Sequence, residues 1–449
     1  MSTLTSSLDA LRAGTQVAVK QILPIDVLVC GGGVAGTVAA VAAARAGASV
    51  LLVERYGFLG GNATAGAVAQ FNSWTTASGR KVVGGLADEV VARLAAYGGA
   101  APHESFVMST GHHMDRVPYA PELLKLVLDD MVREAGVQPL LHAQMLDVRR
   151  AGRQVQAVFV LTKSGVMQIE PRVLIDTSGD IDALHRAGAR FLELDEQDSL
   201  QPATMMFRFG PIDFAQFSAM PLAQMQALSQ QGYASGALAR AALHASRDPD
   251  SNDGWFNISR LALDATDALA LGQAEMEGRQ QAWRAAEFLR QHVPGCADGR
   301  LRAFATQVGI RETRRVAGDH VLTAPELLAP QHFDDHIALG AYPIDIHAAQ
   351  GSGLVYEALG DDHFYQIPYR SIVPESLDNT LVAGRGISAT HAALAAIRVM
   401  TISMAVGHAS GLAAALAVQG TPCGTPVDVR SVAVGSLQQR LREQGACLV

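Results

Sequence analysis

A short glycine pattern constrains the fold of this chain more than any other feature of its sequence. The pattern Gly31-x-Gly33-x-x-Gly36 follows an apolar run of β-forming residues at 25–30. Residues 37–47 are rich in alanine and end in glycine, which predicts a helix, and residues 49–54 predict a second buried strand. A strand, a glycine loop, a helix and a strand in this order predict a βαβ unit, so the expected fold class is α/β.

The glycine loop and Glu54, which ends the second strand, together predict a dinucleotide site. The three glycines allow a tight turn, a close approach of the backbone to a pyrophosphate, and close packing of the helix on the strand. The amino end of the helix then offers unpaired N–H groups to the phosphates. Glu54 would accept both hydroxyls of the adenosine ribose and would repel a 2′-phosphate, so NADP is disfavoured and FAD or NAD remains.

The composition argues against several other classes of protein. The net charge is -8, and no basic block that could neutralise a nucleic acid is present. The four cysteines form no C-x-x-C pair, which favours a reducing compartment. Residues 1–21 lack the apolar core of a secretion signal, and the apolar segment 392–418 is interrupted by Arg398 and His408, which favours a buried helix. We therefore expect a cytoplasmic protein with no nucleic-acid or membrane partner, and the sequence leaves open whether it forms a homo-oligomer.

The alternation of predicted strands and helices divides the chain into four parts. This alternation stops from about residue 193 to 368 and resumes at 379–384, which predicts that a second domain is inserted into the first. The expected parts are an N-terminal arm at 1–20, a dinucleotide-domain piece at 21–192, an inserted α+β substrate domain at 193–370 with residues 300–322 returning toward the cofactor, and a second dinucleotide-domain piece with the C-terminal tail at 371–449. The expected elements include a helix at 123–135, a strand at 139–148, a hairpin at 155–161 and 166–169, a strand at 172–176, polar helices within 262–291 and a long alanine-rich helix at 392–418.

Four further motifs favour FAD over NAD because they resemble those of a known family. They are ERYGFLGGNAT at 54–64, IDTSGD at 175–180, GIRETRR at 309–315 and AGRGIS at 383–388. Together they resemble the bacterial FAD-dependent oxidoreductase family, a distant relative of the fumarate reductase and succinate dehydrogenase flavoproteins. The similarity extends from about residue 24 to 420. It implies a Rossmann-like, glutathione-reductase-like FAD-binding domain with an inserted α+β substrate domain.

The resemblance also implies which residues contact FAD. Besides the glycine loop and Glu54, the expected contacts are Arg55, then Gly60, Gly61, Asn62 and Thr64 along the pyrophosphate and ring, Met145 at the adenine, Ser178, Gly179 and Asp180 on the adenosine side, and Gly384 and Arg385 at the ribityl chain. Relatives that attach flavin covalently use a histidine soon after the first glycine pair, and residues 63–69 contain none, so we expect non-covalent FAD. No second glycine pattern of this kind follows a strand, so the substrate itself is expected to reduce the flavin.

Arg311 is the first candidate for binding the substrate, because it resembles the family's most recurrent position. If residues 309–315 are helical, Arg311 and Arg315 share one face with Arg314 beside them. Guanidinium groups suit carboxylate substrates. The alternative is that one or more of these arginines pairs with Glu312 or Asp319.

Two further segments carry candidate acid–base groups. His391 and Arg398 are seven residues apart, and so two turns apart on one face of the predicted long helix. Arg398 resembles the substrate arginine of the fumarate reductase relatives, whereas a helix-capping or core histidine is the alternative for His391. Asp345 and His347 lie on one side of an extended segment.

These features predict an FAD-dependent oxidoreductase that moves a hydride between a small, polar, anionic substrate and N5 of the flavin. Arg311 and Arg398 would orient the substrate, and His391 or His347 would act as acid or base. The electron acceptor would be oxygen, a quinone or an electron-transfer protein. Two alternatives stay open: an FAD enzyme without net redox chemistry, such as an isomerase or dehydratase, and a non-catalytic flavin-binding redox sensor. No metal site is expected.

Overall fold

The computed structural model describes residues 19–107, 113–195, 199–243, 245–348 and 353–449. Most of the predicted arm at 1–20 lies outside these residues, and its last two residues begin the first strand. The strands are β1 (Val19–Cys30), β2 (Val50–Val53), β3 (Gln70–Asn72), β4 (Glu104–Val107), β5 (His113–Pro118), β6 (Gln138–Leu140), β7 (Gln144–Ala151), β8 (Gln154–Thr162), β9 (Gly165–Asp176), β10 (Phe191–Leu192), β11 (Phe207–Gly210), β12 (Ala245–Arg247), β13 (Gly254–Phe256), β14 (Arg300–Phe304), β15 (Arg315–Val316), β16 (His336–Gly340), β17 (Ile344–His347), β18 (Leu354–Glu357), β19 (Tyr365–Pro368) and β20 (Thr380–Val382). The α-helices are α1 (Val34–Arg45), α2 (Leu86–Ala96), α3 (Pro121–Ala135), α4 (Asp182–Arg186), α5 (Phe214–Ser218), α6 (Leu222–Ala234), α7 (Ala268–His292), α8 (Ala324–Leu328), α9 (His391–Ile397), α10 (Met400–Gly420) and α11 (Val434–Glu443).

The largest sheet places the predicted βαβ unit at its centre. Its order is β6-β2-β1-β9-β8-β7, with β20 beside the end of β9. The strands β6, β2, β1, β9 and β20 run parallel, whereas β7, β8 and the first part of β9 form an antiparallel meander. The loop after β1 therefore opens at the carboxyl ends of the parallel strands, where ligands of α/β folds bind. The predicted α/β class and the predicted hairpin are both confirmed.

Small residues let α10 pack closely over α1. A Cβ atom on Gly407 would lie 2.3 Å from the carbonyl oxygen of Ala35, and one on Gly411 would lie 2.0 Å from that of Ala39. Larger side chains at these two glycines would separate the helices. The helix that follows β1 is thereby fixed against both the sheet and the carboxyl-terminal part of the chain.

A second hydrophobic core lies outside the large sheet. It consists of residues between Ala203 and Ile310 together with Ala67 and Ala69. Its sheet has the order β12-β13-β11-β14. Residues from Val316 to Leu377 pack into the first core instead. The core of the insert is therefore smaller than the segment 193–370 that the sequence predicts as a domain.

Several predicted elements differ from those in the structure. The predicted strand 139–148 is two strands, β6 and β7, because His142 between them adopts a left-handed backbone with φ 52°. Residues 310–314 form neither a helix nor a strand, so the expected shared helical face of Arg311 and Arg315 is wrong. The long helix predicted at 392–418 is interrupted, since Val399 is extended between α9 and α10.

Helix α10 is the one described helix that is long and apolar enough to cross a membrane. Its mean hydropathy is 1.5 over the most apolar window, and 89% of that window is buried inside the protein. A core helix of a soluble protein passes the same test of length and composition.

Candidate active site

The three glycines of the first loop have three different surroundings. Gly31 has φ +108°, and a Cβ on it would lie 2.5 Å from the carbonyl oxygen of Thr177. A Cβ on Gly36 would lie 1.9 Å from the carbonyl oxygen of Gly31, so only glycine lets the helix approach the strand. A Cβ on Gly33 would meet nothing nearer than the Cα of Gly61, at 4.0 Å. Gly33 therefore leaves free space at the amino end of α1, where the N–H groups of the first turn lack partners within the helix.

Glu54 is held beside this loop by backbone hydrogen bonds. Its Oε2 accepts from the N–H of Gly32 at 2.7 Å, and its Oε1 accepts from the N–H of Tyr56 at 2.9 Å. The residue is buried. The N–H of Ala143 donates to the carbonyl oxygen of Glu54 at 2.9 Å. Strand β7, which carries Met145, therefore begins next to Glu54.

A second glycine loop packs directly on the first. Gly60 and Gly61 have φ 110° and 55°, and the N–H of Gly60 donates to the carbonyl oxygen of Gly32 at 2.7 Å. The hydroxyl of Thr64 donates back to Leu59 at 2.6 Å, so it holds the loop. The side-chain amide of Asn62 donates to the carbonyl oxygen of Ile310 at 2.9 Å. Asn62 thereby joins the glycine loops to the segment that carries Arg311.

The motifs 175–180 and 383–388 meet through an ion pair. Arg385 contacts Asp180 at 2.7 Å, and the hydroxyl of Thr313 donates to the same carboxylate at 2.8 Å. Burial alone would raise the pKa of Asp180, but the charge and hydrogen bond of Arg385 outweigh it and lower that pKa. A Cβ on Gly179 would lie 2.7 Å from the guanidinium of Arg385, so the two motifs are in close contact. The structure thus brings these predicted residues together.

The remaining predicted contacts lie around the same loops. Arg55 donates to Gln307 at 2.5 Å, and its charge contributes to the low pKa of Asp180. Ser178 donates to Asp176 at 2.8 Å, which fixes the turn before Asp180. Gly384 has φ 83° and faces Ala35 of α1, at 3.6 Å from a Cβ placed on the glycine.

Arg311 lies on the side of the site formed by the insert, and its hydrogen-bond acceptors are neutral groups. It donates to the carbonyl oxygen of Pro202, to the hydroxyl of Thr204 at 2.8 Å, and to Asn257 at 3.5 Å. Burial, and then the charges of Arg398 and Arg240, lower the pKa of Arg311 to about 9. Its neighbours therefore hold the guanidinium in place without balancing its charge.

Arg398 approaches the same place from the end of α9. It donates to Gln201 at 3.0 Å and to the carbonyl oxygen of Asp345 at 3.1 Å. Its guanidinium is 4.0 Å from the carboxylate of Asp345. These long-range contacts fix Arg398 at the break between α9 and α10. The structure therefore brings Arg398 into the electrostatic neighbourhood of Arg311.

Asp345 and His347 lie on one side of β17, as predicted. The Nε2 of His347 is 3.4 Å from the carboxylate of Asp345, which also accepts from the hydroxyl of Tyr342 at 3.0 Å. Burial alone would raise the pKa of Asp345, but the hydrogen bond with His347 and the charge of Arg398 lower it. Burial and the charge of Arg311 lower the pKa of His347 to about 3. Near neutral pH the pair is therefore an anionic carboxylate and a neutral imidazole.

His391 forms a separate buried pair. Its Nδ1 is 2.9 Å from Glu312, whose side chain is fully buried. The same carboxylate accepts from the N–H of Gln201 at 3.2 Å and lies 3.6 Å from Arg315. A carboxylate on one ring nitrogen fixes the orientation of the imidazole and leaves the other nitrogen for proton transfer. Glu312 was expected only as a partner for an arginine, so its contact with His391 was not predicted.

Arg240 and Gln201 are the residues that sequence reasoning missed. Arg240 interacts electrostatically with Arg311 and with Asp345, and Arg260 lies close enough to act on both arginines. We call Arg240, Arg260, Arg311 and Arg398 the arginine cluster. Neither missed residue belongs to a recognisable motif, and only the tertiary fold brings them to this place.

The described residues contain no group of three or more His, Cys, Asp or Glu side chains that could hold a metal ion. His336, one of the two histidines in the spacing His332-x-x-x-His336, is buried in β16. Its ring nitrogens lie 2.7 Å from the carbonyl oxygen of Phe333 and 3.1 Å from that of Val449. Both nitrogens of His336 are thus engaged by backbone groups.

Comparison with known proteins identifies the family of the chain. The family described as FAD dependent oxidoreductase matches residues 26–441. The chain belongs to this family. It is therefore an FAD-dependent oxidoreductase, and FAD is its cofactor. The open space at Gly33, the amino end of α1 and the fixed carboxylate of Glu54 fit the pyrophosphate and adenosine ribose of that cofactor.

Similar solved structures come from several organisms. A geranylgeranyl bacteriochlorophyll reductase-like protein from Thermoplasma acidophilum is 12% identical with a TM-score of 0.46, over 95% of this chain and 85% of that chain. The p-nitrophenol 4-monooxygenase of Pseudomonas putida is 12% identical with a TM-score of 0.45, over 90% and 82% of the two chains. A flavoprotein/dehydrogenase from Cytophaga hutchinsonii is 13% identical with a TM-score of 0.44, over 93% and 84%. No curated protein matches the chain.

Proposed function

We propose that this FAD-dependent oxidoreductase transfers a hydride between a small, polar, anionic substrate and N5 of the flavin. When bound, FAD supplies a two-electron carrier that accepts or donates a hydride. The observation that carries the proposal is the arginine cluster, in which Arg240, Arg311 and Arg398 all interact with the one carboxylate of Asp345. Such an excess of positive charge favours an anion.

The position of the cluster supports its assignment to the substrate rather than to the dinucleotide. Asn62 of the second glycine loop bonds to Ile310, and the next residue, Arg311, points to Thr204 of the insert. The cluster therefore adjoins the expected cofactor site from the side of the insert. In this proposal Arg311 and Arg398 bind and orient the substrate.

Two histidines are available for proton transfer. His391 is oriented by Glu312, which suits a general acid or base because a carboxylate on one ring nitrogen fixes the imidazole for proton transfer at the other. His347 is neutral beside Asp345, so it can accept a proton once an anionic substrate offsets the charge of Arg311. We favour His391, since its carboxylate partner is fully buried and the cationic surroundings of His347 oppose protonation.

Other parts of the proposal rest on the sequence. For the cofactor, they are the non-covalent state of FAD, the glutathione-reductase-like arrangement of the FAD domain and the contacts assigned to each cofactor residue. For the reaction and its setting, they are an electron acceptor that is oxygen, a quinone or an electron-transfer protein, a cytoplasmic location, and the absence of nucleic-acid and membrane partners. For the ancestry, they are the bacterial origin and the relationship to fumarate reductase. The competing proposals are an isomerase or dehydratase that uses FAD without net redox chemistry, and a redox sensor. Turnover without any electron acceptor would favour the first competitor. Failure of every tested small molecule to reduce the flavin would favour the second.

The test is anaerobic reduction of the bound flavin by a panel of acids, amines and alcohols, followed by the variant Arg311→Ala. We expect the variant to retain FAD but to be reduced roughly 10- to 100-fold more slowly, because a hydrogen bond to a charged group contributes about 1.5–3 kcal/mol. Arg284→Ala is the matched control, since Arg284 is on the exposed face of α7 and pairs with Glu277 at 3.1 Å. Equal loss of FAD and of reduction rate in Arg311→Ala would reject the assignment.

A further inference from the structure

The charges of Arg311 and Arg398 are only partly balanced by the residues that the structure describes. Among the described residues, the hydrogen bonds and ion pairs of Arg311 and Arg398 reach one carboxylate, that of Asp345, at 4.0 Å from Arg398. The other partners are neutral carbonyl, amide and hydroxyl groups. The carboxylate of Asp345 also contacts His347 and accepts a hydrogen bond from Tyr342. One negative charge therefore faces several partly buried positive charges, which is unfavourable until further anionic groups enter.

Arg240 adds a cation that has no partner in the part of the chain that the structure describes. No hydrogen bond or ion pair joins its guanidinium to a described side chain or backbone group, while its backbone carbonyl accepts from the N–H of Ala242 at 2.8 Å. Burial, and then the charge of Arg260, lower its pKa, while the carboxylate of Asp345 acts in the opposite direction. Arg240 therefore lies within electrostatic reach of Asp345 and Arg311. A partly buried guanidinium without a described counter-charge indicates a place for an anion.

Three buried polar atoms around Arg398 also lack partners. They are the side-chain nitrogen of Gln201, the Nε of Arg398 and the Oδ1 of Asp345. Gln201 and Asp345 are only 2% and 5% exposed. The first two atoms can only donate a hydrogen bond, and the carboxylate oxygen can only accept one. Since buried polar groups are nearly always paired, these atoms indicate a ligand that both accepts from Gln201 and Arg398 and donates to Asp345.

We propose that the substrate is a small dianion that also carries a hydroxyl or amino group. One anionic group lies between Arg311 and Arg398 and accepts from Gln201, the second lies at Arg240, and the hydroxyl or amino group donates to Asp345. The proposal rests on the proposed function and gives it a substrate class. Either a carboxylate or a phosphate serves as the second anion, because a guanidinium binds both.

The experiment measures binding to the FAD-loaded protein through the change in the flavin absorbance spectrum, in the absence of turnover. The probes are malate and glycerol 3-phosphate, which are hydroxylated dianions, succinate, which lacks the hydroxyl, and lactate, which has one negative charge. We expect malate or glycerol 3-phosphate to bind roughly tenfold or more tightly than both lactate and succinate, because each lost partner leaves a buried polar group unpaired. The tighter of the two identifies the second anion as carboxylate or phosphate.

The variant Arg240→Gln tests the second anionic subsite. It is expected to weaken binding of the hydroxylated dianion about tenfold while leaving the binding of lactate unchanged. Arg240→Lys should restore part of the lost affinity for the dianion. Arg284→Gln is the surface control and should change neither. Equal binding of lactate and the dianions, no binding of either hydroxylated dianion, or equal weakening of both probes in Arg240→Gln would overturn the proposal.

The outcomes distinguish this proposal from the proposed function. If monoanions or neutral alcohols reduce the flavin as well as dianions do, the substrate class is wrong and the hydride-transfer function survives. If the protein binds the dianions without any compound reducing its flavin, the binding site survives and the hydride-transfer function is wrong. The FAD content of each variant, measured from its absorbance, shows that the cofactor site itself is intact.

Discussion

Replacement of His347 by glutamine should remove a large part of the acid sensitivity of this protein. His347 is 11% exposed, and burial together with the charge of Arg311 lowers its pKa to about 3. The unfolded chain, with a histidine pKa of about 6.5, takes up a proton that the folded protein refuses. Stability is therefore lost as the pH falls from 6.5 toward 3. Between pH 7.5 and 5, this single group should lower the free energy of unfolding by about 2 kcal/mol.

The assay is urea unfolding of the wild type and of His347→Gln at both pH values, followed by tryptophan fluorescence. The wild type should lose about 2 kcal/mol more than the variant. His408, whose pKa burial also lowers, is present in both proteins, so its contribution cancels. Arg311→Gln should reduce the loss, since the charge of Arg311 is the second cause of the low pKa. Equal losses in wild type and His347→Gln would show that His347 titrates normally and would refute the electrostatic description of the site.

Two other predictions concern the cofactor loop and the proton-transfer pair. Gly33→Val should fold normally but fail to bind FAD, because its side chain would occupy the free space at the amino end of α1. Gly36→Val should not fold, because its Cβ would lie 1.9 Å from the carbonyl oxygen of Gly31. Circular dichroism and flavin absorbance separate the two outcomes, and normal FAD content in Gly33→Val would contradict the assignment of the loop. Glu312→Gln should retain FAD but slow flavin reduction, since an amide accepts the hydrogen bond of His391 more weakly and orients its ring less firmly than a carboxylate does. An unchanged rate of reduction would exclude His391 as the acid or base.

The βαβ unit was predictable because its determinants are local. The glycine loop, the alanine-rich helix and the strand before Glu54 appear in the structure within a few residues of their predicted bounds. Each follows from steric freedom, helix propensity or apolar patterning over a short stretch of chain. The same argument applies to the antiparallel hairpin of β8 and β9, whose turn at 163–164 is set by its own residues.

The errors occur where distant contacts decide the backbone. The segment 392–418 has the composition of one helix, yet Arg398 is fixed by Gln201 and by the backbone of Asp345, and the helix is interrupted there. The non-helical segment that carries Arg311 pairs with Thr204 through the N–H and carbonyl groups of Gly309. Helical spacing within either segment contains no information about these partners.

The candidate site was predicted only in part, for a similar reason. Arg311, Arg398 and His347 were selected individually, and the structure brings them into one electrostatic neighbourhood. Arg240 and Gln201 belong to no motif, and their importance depends on burial and on unpaired groups that exist only in the folded protein. A sequence reveals a residue type and a spacing, but an unbalanced charge is a property of the tertiary arrangement.

The segment 309–313 connects the two halves of the site because neighbouring residues contact different parts of the protein. Arg311 reaches Thr204 of the insert, Glu312 reaches His391 at the start of α9, and Thr313 reaches Asp180 beside the expected adenosine site. Residues 310–314 form neither a helix nor a strand, so their side chains do not follow one regular spacing, whereas a helix would have directed Arg311 and Arg315 to one face. The error in the predicted secondary structure thus has a functional consequence. The irregular backbone allows one short segment to position the groups proposed for substrate binding, proton transfer and cofactor binding relative to one another.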